Sequence, residues 1–453
     1  MLYDLIVLGS GPAGYLAGER AGHAGMRVLC IEGRDIGGVC LNEGCIPTKT
    51  LLYSAKIYDN AMHGEKYGVA ATAAIEHGKV LARKNKVVRT LVAGVKSALK
   101  ANGVTVVNGL GVIKGKTDAG FAVEAAGVTH YGRRLLIATG STPVVPPIPG
   151  VKEGLESGFV LTSREALTLA DPPGRLVVVG GGVIGLELAA YFHTIGTQVA
   201  VVEMLDHIAG ETDAELAAIL QKGYEKKGMA FYLGARVTAI TANSVRFDKC
   251  GETTELTADA VLLSVGRRPH IADIGLESLG VVAERGAILT DKHMQTNIPG
   301  VYAAGDVNGV YMLAHAAYRE AEVAVNHMIG VRDTMCYDAI PAVIYTNPEL
   351  ACVGETEEAA RERGRDVDVV KIPLRFSGRY VAENEGGDGI CKLVVDKRTK
   401  IIRGAHALCN YSSEFIVAAG MFITLGLKVE DVKKIVFPHP TVAEILREAV
   451  FQF

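Results

Sequence analysis

The sequence predicts an α/β chain: two Rossmann-like units in tandem, then a smaller α+β domain at the C-terminal end. Three observations predict it. A strand, a glycine-rich turn, a helix and a second strand ending in an acid occupy the first 32 residues. The same pattern returns at Arg175. From about Ile340 the character changes, and short strand-like runs alternate with helical stretches.

Residues 4–9, Asp-Leu-Ile-Val-Leu-Gly, read as a short buried strand. Gly9, Gly11 and Gly14 follow at G-x-G-x-x-G spacing, with an apolar helical stretch from Ala13 to Ala24. A second strand, Arg27 to Ile31, ends at Glu32. This is the dinucleotide-binding fingerprint. The first glycine permits the tight turn, the second lets a pyrophosphate reach the backbone, and the third lets helix and strand pack closely. The helix N-terminus then turns its N–H groups to the phosphates.

In the repeat, Arg175 to Val179 is the strand, Gly180, Gly182 and Gly185 are the turn, and Gln198 to Val202 ends at Glu203. From Gly9 to Glu32 is 23 positions, and from Gly180 to Glu203 is also 23. Two unrelated glycine turns would not share their acids, so two dinucleotide sites are expected. Each acid should bond a ribose hydroxyl pair. Glu203 is followed by Met204, Leu205 and Asp206, with no arginine until far downstream. A 2′-phosphate would lack a cationic partner, so NAD is expected over NADP at the second site.

Leu135 to Thr139 is a further strand ending at Gly140, and Val261 to Val265, ending at Gly266, is its counterpart. The proline-rich Val144 to Pro149 between them reads as a linker. Val301 to Ala304 is a strand ending at Gly305-Asp306; Leu313-Ala314-His315 then opens a helical stretch to about His327. An acid at a strand's C-terminal end points into the ligand crevice of an open sheet; the alternative for Asp306 is a turn or N-cap role. Beyond Ile340, the runs Val343–Tyr345, Val367–Pro373 and Ile390–Val395 suggest a partly antiparallel sheet.

Bulk properties agree. A chain of 453 residues is too long for one core and suggests about two to four domains. The 47 basic and 50 acidic residues leave a net charge of −3, unlike a nucleic-acid or membrane-surface binder. No apolar run reaches the roughly 18 residues of a membrane span. Met1 to Leu8 has no basic stretch and runs straight into the glycine turn, so a signal peptide is not expected and a cytoplasmic location is. In a reducing compartment, eight cysteines do not suggest a disulfide scaffold. Cys30, Cys250, Cys336, Cys352, Cys391 and Cys409 are expected in or near the core as small hydrophobes.

Cys40 and Cys45 differ. They lie in Gly37-Gly38-Val39-Cys40-Leu41-Asn42-Glu43-Gly44-Cys45-Ile46-Pro47-Thr48-Lys49. On an ideal helix, Cα atoms five positions apart stand about 8–9 Å from each other. A disulfide needs less than about 7 Å. A bridge therefore needs a distorted backbone, for which Gly44 and Pro47 give the means. Such a strained, exposed bridge is labile and catalytic rather than structural. A zinc site and inert core thiols are the alternatives; zinc would want a second ligand pair, which is missing. Lys49 could stabilise a thiolate here. Its apolar flanks Ile46, Leu51 and Leu52 suggest burial, and Glu187 in the second unit's helix is a candidate counter-charge.

Near the end stands His439-Pro440-Thr441-Val442-Ala443-Glu444. A histidine between prolines is most often structural. Dithiol–disulfide exchange, however, needs a group that accepts and returns a proton near neutral pH. A carboxylate five positions on could hold one ring nitrogen and raise the basicity of the other.

The cysteine motif resembles that of the pyridine nucleotide–disulfide oxidoreductases. The resemblance extends over Ala138-Thr139-Gly140, the second glycine unit, Gly266-Arg267-Arg268-Pro269, Ala304-Gly305-Asp306, Leu313-Ala314-His315 and His439-Pro440-Thr441-x-x-Glu444, nearly the whole chain. Leu41-Asn42 and Ile46-Pro47 favour the dihydrolipoyl dehydrogenases of that family over its glutathione reductases. The resemblance implies residues 1–147 as the first part of an FAD-binding domain, 148–270 as an NAD-binding domain, 271–337 as a central domain completing the FAD site, and 338–453 as a dimerisation domain. It implies Cys40 as the outer thiol, exchanging with dihydrolipoyl groups, and Cys45 as the inner thiol against the flavin. Lys49 and Glu187 would pair beside the flavin ring, and Asp306 would bond the ribityl and pyrophosphate region. Thr139, Gly140, Gly266, Ala314 and His315 would line the cofactor sites. His439 would be the base, Glu444 its orienter, and the base would serve the other subunit's cysteines in a homodimer. The partner implied is a lipoyl-bearing protein of a 2-oxo acid dehydrogenase or glycine cleavage complex. His270, where asparagine is common, and Ala321, where glycine is frequent, depart from the pattern. The chain ends at Phe453 without a C-terminal cysteine, unlike mercuric and thioredoxin reductases.

Overall fold

A computed structural model describes all 453 residues, Met1–Phe453. The chain divides into two compact units. The first contains Met1–Thr50, Lys79–Val144 and Gly266–Cys336; the second contains Leu51–Gly78, Val145–Val265 and Tyr337–Phe453. No helix is long and apolar enough to cross a membrane.

The first unit is built on a five-stranded parallel sheet in the order Val301–Ala303, Leu135–Ile137, Leu5–Leu8, Val28–Glu32 and Thr105–Asn108. Its central strands are buried on both faces, which is why they read as unbroken apolar runs. Each fully buried Leu, Ile or Val contributes about 1.5–3 kcal/mol, and Ile6, Leu29, Leu135, Ile137 and Val301 are all fully buried. Helices Pro12–His23 and Ala314–Met328 pack along each other. A second sheet, absent from the sequence reading, contains Leu2–Tyr3, Val128–Gly132, Gly120–Ala125 and Val112–Thr117.

The second unit repeats the plan. Its parallel sheet runs Val160–Leu161, Ala260–Leu263, Arg175–Val179, Gln198–Val202 and Ala230–Tyr232, with an antiparallel meander from Ala235 to Thr257. The internal repeat is realised in the strand register. Leu5 pairs with Val28 and Arg175 with Gln198, an offset of 23 in both units (28 − 5 and 198 − 175).

The C-terminal sheet runs Ala342–Ile344, Glu349–Gly354, Ile402–Cys409, Ile390–Asp396 and Val367–Pro373, with helix Ser412–Thr424 packed on it. It is antiparallel throughout, not in part. One of its rows is polar: Cys352, His406 and Lys392 are cross-strand neighbours. Lys392 is 1% exposed and lies 2.7 Å from Asp213, itself fully buried. His406 is fully buried with Nε2 3.0 Å from the Glu355 carbonyl, and burial holds its imidazole below the ordinary value.

Two of the six cysteines expected near the core are exposed. Cys250 sits in the hairpin turn between Ser244–Lys249 and Glu252–Thr257, at φ 51°, and Cys336 lies at the end of the first unit. Cys30, Cys352, Cys391 and Cys409 are buried. Burial pushes the thiols of Cys30, Cys352 and Cys391 up to about 12, which leaves them inert at neutral pH.

Candidate active site

The two glycine turns are superimposable in logic. Gly9 (φ 96°) and Gly180 (φ 104°) hold backbone conformations that favour glycine. A Cβ on Gly14 would lie 1.9 Å from the Gly9 carbonyl oxygen, and one on Gly185 would lie 2.2 Å from that of Gly180. Chain geometry thus explains the first and third glycines. It does not explain the second. Gly11 (φ −69°) and Gly182 (φ −76°) have ordinary backbone angles. A Cβ would meet nothing within 4 Å at Gly182 and only Gly38 Cα, at 3.9 Å, at Gly11. Space kept clear at the N-terminus of a helix fits a ligand phosphate, so both turns suit a dinucleotide.

The acids do structural work that the sequence did not assign. Glu32 accepts from the N–H and hydroxyl of Ser10 at 2.8 and 2.6 Å and from the Arg34 N–H at 2.8 Å. Glu203 accepts from the Gly181 N–H at 2.6 Å and the Leu205 N–H at 2.7 Å. Each therefore ties its glycine turn to the next loop while standing at the end of its strand. Met204 and Leu205 beside Glu203 are exposed. The next basic side chain along the sequence, His207, already pairs with Asp206 at 2.6 Å, which pulls its imidazole above the ordinary value.

Asp306 stands just after strand Val301–Ala303, held in a hydrogen-bond chain. The Ser141 hydroxyl donates to its carboxylate at 2.5 Å, and Arg267 donates to Ser141 through Nε (2.7 Å) and Nη2 (2.8 Å, to the carbonyl). Strands Ser141–Pro143 and Arg267–Pro269 pair antiparallel beside it. Thr139 donates to the His270 carbonyl at 2.6 Å, and the Gly140 carbonyl accepts from His270. Gly140 (φ 72°) and Gly266 (φ 109°) supply the bends. The buried Glu320 accepts from the Gly305 N–H at 2.6 Å and so sets the turn that presents Asp306. Ala314 and His315 begin helix Ala314–Met328, whose N-cap Leu313 offers no side-chain bond.

The cysteine pair straddles a helix break. Cys40 lies on helix Gly38–Glu43 and Cys45 heads helix Cys45–Met62. Between them Gly44 leaves the helical region at φ −142°, ψ −108°. Asn42 pins the turn by donating to the carbonyls of Ile36 (3.1 Å) and Gly38 (2.9 Å), and Thr48 donates to that of Gly44 at 2.6 Å. Both cysteines are half-buried, and their sulfurs are in hydrogen-bonding contact. That contact, then burial, pushes the Cys40 thiol up, while the Lys49 ammonium pulls it down.

Tyr15 and Tyr318 were missed by the sequence reading. Their hydroxyls are hydrogen-bonded and their rings meet edge-on at 5.9 Å.

In the second unit, Nδ1 of His439 lies 2.9 Å from Oε1 of Glu444, and the Thr441 N–H donates to Oε2 at 2.8 Å. The His439 side chain is 78% exposed. Burial works against the Glu444 carboxylate, but the Thr441 N–H and His439 outweigh it and hold its carboxyl below the usual range. The nitrogen left for proton exchange is Nε2. Glu187 is buried on helix Val183–Thr194 and accepts from the Tyr345 N–H at 3.0 Å. Lys49 lies on the cysteine helix.

Known proteins resemble this chain over nearly its whole length. The family described as pyridine nucleotide-disulphide oxidoreductase matches residues 3–321. Its dimerisation domain matches residues 340–450. The dihydrolipoyl dehydrogenase of Mycoplasma pneumoniae is 37% identical, over 99% of this chain and 98% of its own. That of Thermus scotoductus is 37% identical, over 99% and 96%. Among solved structures, LpdA from Mycobacterium tuberculosis aligns at TM-score 0.90 and 26% identity, over 99% of both chains. The HOCl-induced flavoprotein disulfide reductase RclA from Escherichia coli aligns at 0.87 and 29%, also over 99% of both. The family implies use of a flavin and a pyridine nucleotide. With a cysteine pair at a helix break, two dinucleotide turns and a C-terminal dimerisation domain, the chain belongs to the pyridine nucleotide–disulphide oxidoreductases, the flavoprotein enzymes of disulfide exchange.

Proposed function

We propose that the protein is an NAD-dependent dihydrolipoyl dehydrogenase acting as a homodimer. The observation that carries this reading is the Cys40–Cys45 pair, set in sulfur contact across the Gly44 break and within the field of Lys49. One sulfur of the dihydrolipoyl dithiol attacks the Cys40–Cys45 disulfide at Cys40. A bond forms between substrate sulfur and Cys40, the bond between the two cysteines breaks, and Cys45 leaves as a thiolate. The second substrate sulfur then displaces Cys40 and closes the lipoyl disulfide, so two electrons pass to the cysteine pair. His439 takes the proton of the attacking thiol at Nε2, while Glu444 holds the Nδ1 side and stabilises the imidazolium. FAD, when bound, supplies the two-electron chemistry that reoxidises the pair and reduces NAD.

In this reading Gly9, Gly11, Gly14 and Glu32 hold FAD, with Asp306 on the ribityl and pyrophosphate region. Thr139, Gly140, Gly266, Ala314 and His315 complete the cofactor surroundings. Gly180, Gly182, Gly185 and Glu203 hold NAD. Lys49 and Glu187 form an ion pair beside the flavin ring. Residues 1–147 and 271–337 make the FAD-binding part, 148–270 the NAD-binding domain and 338–453 the dimerisation domain. Helix Ser412–Thr424 and the segment beyond it expose Val417, Met421, Leu425 and Val436, an apolar surface suited to a second copy. His439 of one copy serves the cysteines of the other. The physiological donor is a lipoyl-bearing protein of a 2-oxo acid dehydrogenase or glycine cleavage complex, and the setting is cytoplasmic.

The test is NADH formation from dihydrolipoamide with NAD or NADP, with glutathione as control. Rapid turnover with dihydrolipoamide and NAD alone is expected; turnover with NADP and glutathione instead would discard both the substrate and the reading of Glu203. Gly182→Ala gives a second check. Alanine suits its φ of −76° and its Cβ meets no protein atom, so unfolding should match wild type. NAD affinity should nevertheless fall about tenfold, the cost of one methyl in a fitted pocket. Unchanged affinity would mean that the space beside Gly182 is not the pyrophosphate's.

A further inference from the structure

We propose that helix His77–Ala101 is the docking surface for the protein that carries the dihydrolipoyl group, and that this carrier meets it with an acidic face. The inference rests on the substrate reading given above and names the partner's chemistry at that same site.

The helix concentrates positive charge. It has 25 residues, with Lys or Arg at positions 79, 83, 84, 86, 89, 96 and 100 and no Asp or Glu, in a chain whose net charge is −3. At 100° per residue, Lys79, Arg83, Lys86, Arg89, Lys96 and Lys100 fall within about 140° of one another, and all six are exposed. Lys86, Arg89, Lys96 and Lys100 form no ion pair within the chain. Val80, Val88, Leu91, Val95 and Leu99 hold the opposite side, where Val80 and Leu99 are buried.

The charged side borders the cysteine helix. Arg83 Nη1 donates to the Thr50 carbonyl at 3.2 Å, and Thr50 lies on helix Cys45–Met62, which Cys45 heads. At the other end, Leu99 packs so closely on helix Pro12–His23 that a Cβ on Gly18 would lie 3.1 Å from its Cδ2. The helix is thus fixed at both ends beside the segment where a dithiol must arrive. An open depression of about 480 Å³ lies along it, lined by Arg83, Lys86, Val87, Thr90 and Leu91. A valine and a leucine between cations suit an apolar side chain flanked by carboxylates. The dihydrolipoyl group is uncharged, so the cations serve its carrier. Charge of one sign beside a reactive centre raises the rate of encounter with a partner of the other sign. A second copy of this chain fits poorly, since a twofold contact through this side would set six cations against six. A membrane-bound helix inserts a free apolar side, and here the apolar side is the one turned to the protein.

The test uses the FAD-loaded enzyme and dihydrolipoyl-lysine peptides of equal length that carry several glutamates, glutamines or lysines beside the modified residue. NADH formation gives kcat/KM for each. At low salt the glutamate peptide should exceed the glutamine peptide about tenfold, and the lysine peptide should fall below both. In about 1 M sodium chloride, where charges are screened beyond about 3 Å, the three should converge. The double variant Arg89→Glu, Lys96→Glu should remove the glutamate peptide's advantage at low salt, with thermal unfolding in parallel. Should that protein not fold, Lys86→Glu and the salt series decide. Equal kcat/KM for the three peptides at low salt overturns the proposal, as does a glutamate preference that survives charge reversal. Binding to phosphatidylglycerol vesicles without a peptide preference would give this side to a membrane and overturn it too. A change of oligomeric state on charge reversal, again without a peptide preference, would give it to a second copy with the same result. Free dihydrolipoamide is run alongside. Peptide-independent rates in an enzyme that oxidises it discard the docking surface alone. If it is not oxidised, the substrate reading falls, and fluorescence anisotropy of labelled glutamate and glutamine peptides without the lipoyl group decides the rest. A glutamate preference then keeps the acidic partner and discards its dihydrolipoyl cargo; no preference discards both.

Discussion

Cys45→Ser is expected to lower dihydrolipoamide turnover by about 10³-fold or more, within the range that nucleophile removal costs enzymes of covalent mechanism. The reason lies in the exchange itself. The first substrate sulfur can add to Cys40 only if another sulfur leaves, and Cys45 is that sulfur. A serine oxygen forms no bridge, so the electron pair has nowhere to go and the first step stops. The protein should otherwise persist. Cys45 is half-buried at the head of helix Cys45–Met62, and serine is a near match in shape. The break at Gly44 is held by Asn42 and Thr48, not by the sulfur. Bound FAD, read from its visible absorbance, and the unfolding midpoint should therefore match wild type while NADH formation is lost. Cys391→Ser is the control, since that thiol is fully buried and in the other unit. Full turnover by the Cys45→Ser protein would remove the cysteine pair from the reaction.

What the sequence revealed and what it hid divide along a physical line. The repeat was legible because a parallel strand buried on both faces must be apolar at every position, as Leu5–Leu8 and Leu176–Val179 are. The glycine turns were legible because φ near 100° at Gly9 and Gly180 restricts the residue type. The distortion between Cys40 and Cys45 followed from helix geometry, and the break falls on Gly44. The antiparallel strands Val112–Thr117 to Val128–Gly132 and Ala235–Ile240 to Glu252–Thr257 were missed. Their outer faces are polar and their runs short, so only a turn such as Ala126-Gly127, both at positive φ, could have marked them. Partnerships across the chain were hidden for another reason. Arg267 and Ser141 are 126 positions apart, and Tyr15 and Tyr318 are 303 apart. No local pattern encodes such pairs; the stacking of strands and helices creates them. Lys392 is the intermediate case. A lysine inside the apolar run Ile390–Val395 is visible as an anomaly, but its acids are not.

Lys392→Met is expected to destabilise the fold by about 3–5 kcal/mol, the cost of removing one partner from a buried ion pair. Its ammonium lies 2.7 Å from Asp213, 3.3 Å from Glu357 and 3.6 Å from Glu215. Burial disfavours the charged lysine, but the bond to Asp213 and the surrounding acids outweigh that and hold its pKa above the ordinary value. The interaction is therefore fully present at neutral pH and would fade only as pH rises through that elevated value. Methionine fills much of the same volume, so the loss measures charge more than packing. What remains is a carboxylate at Asp213 with no exposure and no adjacent ammonium. Asp213 also caps helix Ala214–Lys226 by accepting from the Leu216 N–H. Asparagine caps a helix about as well, so Asp213→Asn removes the charge and spares the cap. In the Lys392→Met background, Asp213→Asn should therefore restore stability rather than reduce it further. Urea unfolding of the four proteins measures the coupling. Independent losses would mean that the polar row beneath helix Ala214–Lys226 is held by packing, and that the lysine's charge contributes nothing there. Recovery would locate much of the second unit's stability in one buried charge, at the junction of helix Ala214–Lys226 and the C-terminal sheet.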